Sequence, residues 1–163
     1  MKQLRPAPLT KTAFAPFGHV VEMAGVEPLS INQGFAERFN DLAPVDVASE
    51  GGQVNVSIVR AMPRLLPIHI EIMERHPLGS QIFVPLEDHS WLVVVCADPR
   101  DPSSFRAFRA TGLTGISYAR NVWHHPLVVL NEQGRFLVID RKGPGNNLEE
   151  WRMAAGQELI LEL

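Results

Sequence analysis

Met73-Glu74-Arg75-His76-Pro77-Leu78-Gly79-Ser80-Gln81 sets acids, bases and amides side by side directly after Ile68-His69-Ile70-Glu71-Ile72. The isoleucines recur at every second position, which is the period of a β-strand. If that pleat runs on without a bulge, Glu74 and His76 fall on the isoleucine face, at the mouth of an apolar interior. A second stretch, Tyr118-Ala119-Arg120-Asn121-Val122-Trp123-His124-His125-Pro126, repeats the plan further along the chain. Two such clusters, each at the end of a strand-like run, predict one polar pocket closed by two strands of a single barrel.

Outward from these clusters the pattern stays mostly β. Val54, Val56 and Ile58 alternate with Asn55, Ser57 and Val59, as in a half-buried strand. Residues 81–85, 91–97, 105–110, 115–118, 127–130 and 159–161 read as further strands. The run 131–134 fits a hairpin connection into a strand over 135–140. Thr10 is placed to cap a short helix over 11–16, with Gly18 as its stop signal, and a first strand follows over 19–23. A second short helix is expected over 148–155. Residues 31–39 have no clean period; Asn32, Gly34 and Arg38 there could line a site or belong to a solvated connection. The acidic stretch 41–52 reads as a surface loop. Many short strands separated by turns imply a sandwich or barrel, and a polar site at one mouth favours a single mainly β domain over residues 1–163, a β-barrel with a few short helices.

Composition narrows the function. The chain has 163 residues, 45% of them hydrophobic and 20% charged, which suits a globular domain with a real core. A formal net charge of −3 and the lack of a basic run give no electrostatic reason to expect nucleic acid or an anionic membrane. The longest apolar run, 92–97, is far too short to span a bilayer. The single cysteine, Cys96, lies inside that run and reads as an inert core thiol. With no apolar leader-like segment at the N-terminus, these features point to the cytoplasm.

No CxxC, phosphate-binding glycine loop or serine elbow is present, so acid–base or metal-assisted chemistry is what the residues offer. Glu74 and His76 address one ligand together if they share a face. Ser80 and Gln81 add neutral donors and acceptors after the turn at Pro77–Gly79, while Arg75 points the other way in an ideal strand. Adjacent histidines face opposite ways, so only one of His124 and His125 enters the same pocket. Parity groups Tyr118, Arg120, Val122 and His124, unless a turn at Asn121 resets it. Asn is the non-glycine residue that best tolerates a left-handed turn. Glu74, His76 and His124, with Gln81 as a weak neutral donor, admit a divalent metal without requiring one. His19 and His89 lie beside turn signals and are expected to be exposed.

The strings Glu74-Arg75-His76-Pro77-Leu78-Gly79-Ser80-Gln81 and Val122-Trp123-His124-His125-Pro126 closely resemble the ureidoglycolate lyase family of allantoin degradation. Phe14-Ala15-Pro16-Phe17-Gly18, Asn32-Gln33-Gly34 with Arg38, and Val138-Ile139-Asp140-Arg141 extend the likeness nearly end to end. The resemblance implies a cupin-like β-barrel, a homodimer, and cleavage of ureidoglycolate to glyoxylate and urea. It leaves two options open: a divalent metal, with nickel the ion associated with the family, on Glu74, His76, Gln81 and His124, or no cofactor. Glu74 and Gln81 depart there from the usual cupin donors. In the implied chemistry His76 or His124 is the base, Glu74 orients it or relays the proton, and Tyr118 or the other histidine is the acid. Arg75 or Arg38 would hold the carboxylate, with Ser80, Gln81, Asn32 and His125 completing the substrate site. A cupin-like binding or sensor module without turnover is the rival reading.

Overall fold

The computed structural model describes residues 2–163. The N-terminal part carries short strands, β1 (Gln3–Leu4), β2 (Ala7–Pro8), β3 (Gly18–Val21), β4 (Leu29–Ile31) and β5 (Ala36–Arg38), with a turn of α-helix, α1 (Lys11–Phe14), and a 3-10 turn (Asn32–Gly34) among them. The middle supplies β6 (Gln53–Ala61), β7 (Ile68–Ile70), β8 (Ile72–Arg75), β9 (Gln81–Pro85), β10 (Trp91–Cys96) and β11 (Arg106–Ala110). The remainder gives β12 (Gly115–Tyr118), β13 (Trp123–His124), β14 (Val128–Val129), β15 (Gly134–Lys142), β16 (Glu149–Arg152) and β17 (Leu159–Leu161).

Two large sheets face one another. One has the order β3-β12-β9-β15-β6, and the other runs β16-β8-β13-β10-β11-β2 with β14 added on β10. A smaller sheet, β1-β17-β7, covers the outer face of the second. Strand β10 shows why the chain folds this way. Trp91, Val93 and Val95 belong to the core between the two large sheets, with Phe14, Phe83, Tyr118 and Phe136. Leu92, Val94 and Cys96 belong to a second core with Ile70, Met73 and Leu161. A strand buried on both faces needs an unbroken apolar run, and residues 91–96 supply it. The result is the expected mainly β, cupin-like architecture. Thr10 caps α1 by accepting from the Ala13 amide at 3.1 Å, also as expected.

Four local expectations are corrected. The isoleucine pleat does not run into the Glu74 stretch: the chain breaks at Glu71, and β7 and β8 lie in different sheets. Ile70 and Met73 consequently share one core, and Glu74 lies on the face away from it. Residues 149–152 form a strand, because Glu149 and Trp151 pair in register with Arg75 and Met73 of β8. That ladder, reinforced by the Arg75–Glu149 ion pair, replaces the expected helix. The 131–134 turn is not a hairpin but a crossover, since β14 pairs with β10 while β15 pairs with β9 and β6. Finally, His89 is not exposed: it meets the Phe136 ring edge-on at 5.6 Å.

A fifth departure concerns β6. Its alternation is as read, but the polar residues Asn55 and Ser57 are the half-buried ones. Val54, Val56 and Ile58 point outward, 47%, 64% and 57% exposed.

Candidate metal centre between the sheets

Cross-strand register brings the chemistry together. In one sheet Val95 stands opposite His124, His124 opposite Glu74, and Glu74 opposite Glu150. In the other, Tyr118 stands opposite Gln81, and Asp140 opposite Asn55, with Gln81 joined to Asp140 by a hydrogen bond. Residues directly opposite across strands share a face. Val95 and Tyr118 both belong to the core between the sheets, so these two rows look at each other. The Tyr118 ring stacks on His124 with centroids 4.1 Å apart and planes 13° apart. His76, just past the end of β8, sets its ring 5.2 Å from that of His124.

Both histidines are held by the same device. Nδ1 of His76 donates to the Asn147 carbonyl at 2.8 Å, and Nδ1 of His124 donates to the Val122 carbonyl at 2.9 Å. A carbonyl only accepts, so each Nδ1 carries the hydrogen and each neutral ring turns an Nε2 lone pair inward. Both Nε2 atoms are buried and have no hydrogen-bond partner among the described residues. The Nε2 of His124 nevertheless lies 3.4 Å from Oε1 of Glu74. Two acceptors that close, in a buried place, call for a cation or proton between them. Donor atoms of Glu74, His76 and His124 lie within 4.8 Å of one another. Two imidazole lone pairs and a carboxylate oxygen, braced from behind by backbone carbonyls, are the donor set of a divalent transition metal. The residues fit such an ion.

Charges around the centre are consistent with this. Burial pushes the Glu74 carboxyl up, but its contact with His124, with smaller contributions from His76 and His125, outweighs that, leaving it below its ordinary value. Tyr118 is pushed up, first by burial and then by Glu74, so its hydroxyl keeps its proton. His125 is neutral, its pKa lowered to about 4 chiefly by burial. Its Nδ1 donates to the Pro126 carbonyl and its Nε2 accepts from Arg64 at 3.4 Å. Cys96 is raised to about 12, mainly by burial, which suits an inert thiol.

Of the residues singled out from sequence, Glu74, His76, His124, Tyr118 and Gln81 converge here. Arg75 takes the opposite face of β8, where it binds Glu149 at 2.6 Å and lies 4.6 Å over the Trp123 ring. Ser80 is buried and latches the preceding loop, its Oγ accepting from the Asp46 amide at 2.9 Å. Asn32 and Arg38 sit exposed on the β4–β5 hairpin, which joins none of the larger sheets. Three residues were not singled out. Asn55 and Asp140 lie in the facing row, and Asn147 holds His76. The polar alternation in β6 was the visible signal for Asn55.

Fold and site together define a cupin-like β protein with a two-histidine, one-carboxylate centre between its sheets. A family model described as ureidoglycolate lyase matches residues 1–160. A ureidoglycolate lyase from Burkholderia mallei is 52% identical over 151 residues, covering 92% of this chain and 89% of that protein. Ureidoglycolate lyase 1 from Rhizobium meliloti is 53% identical over 145 residues, covering 88% and 85%. One from Stutzerimonas stutzeri is 44% identical over 164 residues, covering 99% and 96%. Among solved structures, a dTDP sugar isomerase from Desulfovibrio desulfuricans matches with a TM-score of 0.48 at 13% identity, covering 86% of this chain and 85% of that one. This chain belongs to the ureidoglycolate lyase family.

Proposed function

We propose that this chain cleaves ureidoglycolate to glyoxylate and urea. The observation that carries the reading is the pair of unpartnered, inward-facing Nε2 atoms of His76 and His124 beside Glu74. One carbon of the substrate bears a hydroxyl, a ureido nitrogen and a carboxylate. Its collapse breaks the carbon–nitrogen bond and turns the hydroxyl into a carbonyl. The hydroxyl proton leaves to a base, and the electron pair of the broken bond goes to the nitrogen, which is protonated. No covalent nucleophile is needed, and Cys96 is buried and far from ionising.

Glu74, His76 and His124 would hold the divalent metal, and nickel, the ion the family resemblance implies, suits such donors. When bound, the ion supplies positive charge for the substrate's carboxylate and hydroxyl oxygens. The one cation in these rows is Arg106, opposite Val95 at the far end and turned to the Ser103 and Phe105 carbonyls, while Glu74 and Asp140 at the centre would repel a bare carboxylate. Oε2 of Glu74 makes no hydrogen bond among the described residues and takes the hydroxyl proton. Tyr118, which burial keeps protonated, donates to the departing nitrogen.

The active protein is a homodimer on this reading. The outward apolar row of Val54, Val56 and Ile58 on a long edge strand supports a covered face. A free cysteine and a small-molecule metabolic role support a cytoplasmic setting. Residues 1–163 act as one lyase domain.

Freshly prepared ureidoglycolate should release glyoxylate above its spontaneous rate. His76→Ala and His124→Ala should each lower turnover roughly a hundredfold or more. Wild-type turnover in both variants would sink the assignment.

A further inference from the structure

Asp140 has two carboxamides turned toward it. Its Oδ1 accepts from Nδ2 of Asn55 at 2.9 Å, and its Oδ2 accepts from Nε2 of Gln81 at 3.3 Å. An ionised carboxylate only accepts, so the Gln81 nitrogen is fixed on the Asp140 side and Oε1 is turned away from it. That oxygen is buried and has no partner among the described residues. Gln81 stands directly opposite Tyr118, whose ring stacks on His124, so the oxygen lies on the face that looks onto the centre.

We propose that Asp140 is a positioning residue, locking the Gln81 carboxamide so that its oxygen accepts an N–H of the substrate's ureido group. The inference rests on the lyase reading above. A free glutamine reads donors and acceptors equally well, because its amide can flip. One held at its nitrogen presents only an acceptor. It favours a ureido group, which carries N–H on both nitrogens, over an ester or carboxylate that would set lone pair against lone pair. Asn55 braces the other oxygen of Asp140, so the carboxylate cannot swing away from Gln81 without giving up that bond.

Asp140→Asn preserves shape but offers Gln81 an amide that can donate or accept, which frees the carboxamide to flip. Calorimetric binding of N-carbamoylglycine, which has the ureido and carboxylate groups without the hydroxyl, should weaken about tenfold. KM for ureidoglycolate should rise by a similar factor while kcat, bound metal and melting temperature stay near wild type. Adding Gln81→Glu exchanges the two roles: the new carboxylate at 81 accepts from the new amide at 140 and still turns an oxygen to the site. Affinity should then return. Wild-type affinity in Asp140→Asn would overturn the proposal, as would a loss that the double variant does not repair or that tracks a loss of metal. A wild-type protein that neither cleaves ureidoglycolate nor binds N-carbamoylglycine would instead overturn the lyase reading itself.

Discussion

Asn147 works from two atoms at once. Its carbonyl accepts from Nδ1 of His76, and its side-chain oxygen accepts from the Leu78 amide at 2.8 Å. The loop thereby fixes both the tautomer of His76 and the turn that follows it. Asn147→Ala removes only the side-chain acceptor and should cost about 1 kcal/mol in urea unfolding. Asn147→Asp keeps the acceptor and should stay near wild type; equal losses in the two variants would contradict this role. The chemistry-bearing residues Glu74, His76 and His124 were readable from sequence because type and spacing carry the signal. Asn121 was readable too, since its φ of 66° is the left-handed turn that Asn tolerates. Asn147 was hidden because its main contribution is a backbone carbonyl, which no side-chain pattern reveals.

Strands taught a different lesson. That Glu74 and His76 share a face is correct, yet the face is set by the break at Glu71 and by pairing with β13 and β16, not by a continuing pleat. In β6 the period was plain and the buried side was not, because alternation fixes two faces without saying which one meets the core. The acidic stretch 41–52 is a loop as read, but it is tied down: Asp46 bonds to Arg120 at 2.6 Å and exchanges hydrogen bonds with Ser80. Arg120 holds the Asp46 carboxyl below its ordinary value, mainly by direct hydrogen bonding. A folded-state pKa that is depressed gives stability above the unfolded carboxyl range, and that stability fades as pH falls through the folded value. Asp46→Asn should therefore be slightly less stable than wild type at neutral pH, as befits a half-exposed pair. The difference should shrink as pH drops below roughly 4. A difference that grows in acid, by chemical unfolding across that range, would contradict the pairing.

At the scale of the whole molecule, three layers put a polar mouth between two sheets and leave one apolar edge uncovered. A mainly β fold was readable because strand periods and turns recur along the chain. The layer order was not, since it depends on which strands pair across long stretches of sequence. Edge strands that face solvent are ordinarily blunted by charge, and β6 instead shows Val54, Val56 and Ile58. In the proposed homodimer this strand is the interface, so replacing Val56 and Ile58 by Lys should halve the mass seen in light scattering without lowering the melting temperature. An unchanged mass would remove this strand from the interface.

The most direct measurement is glyoxylate release from fresh ureidoglycolate by the protein as isolated, after complete chelation, and after nickel is restored. The expected result is release above the spontaneous rate, its loss with the metal, and its return with nickel. Release that persists after all metal is gone would contradict a working metal centre at Glu74, His76 and His124. No release under any of the three conditions would contradict the lyase reading.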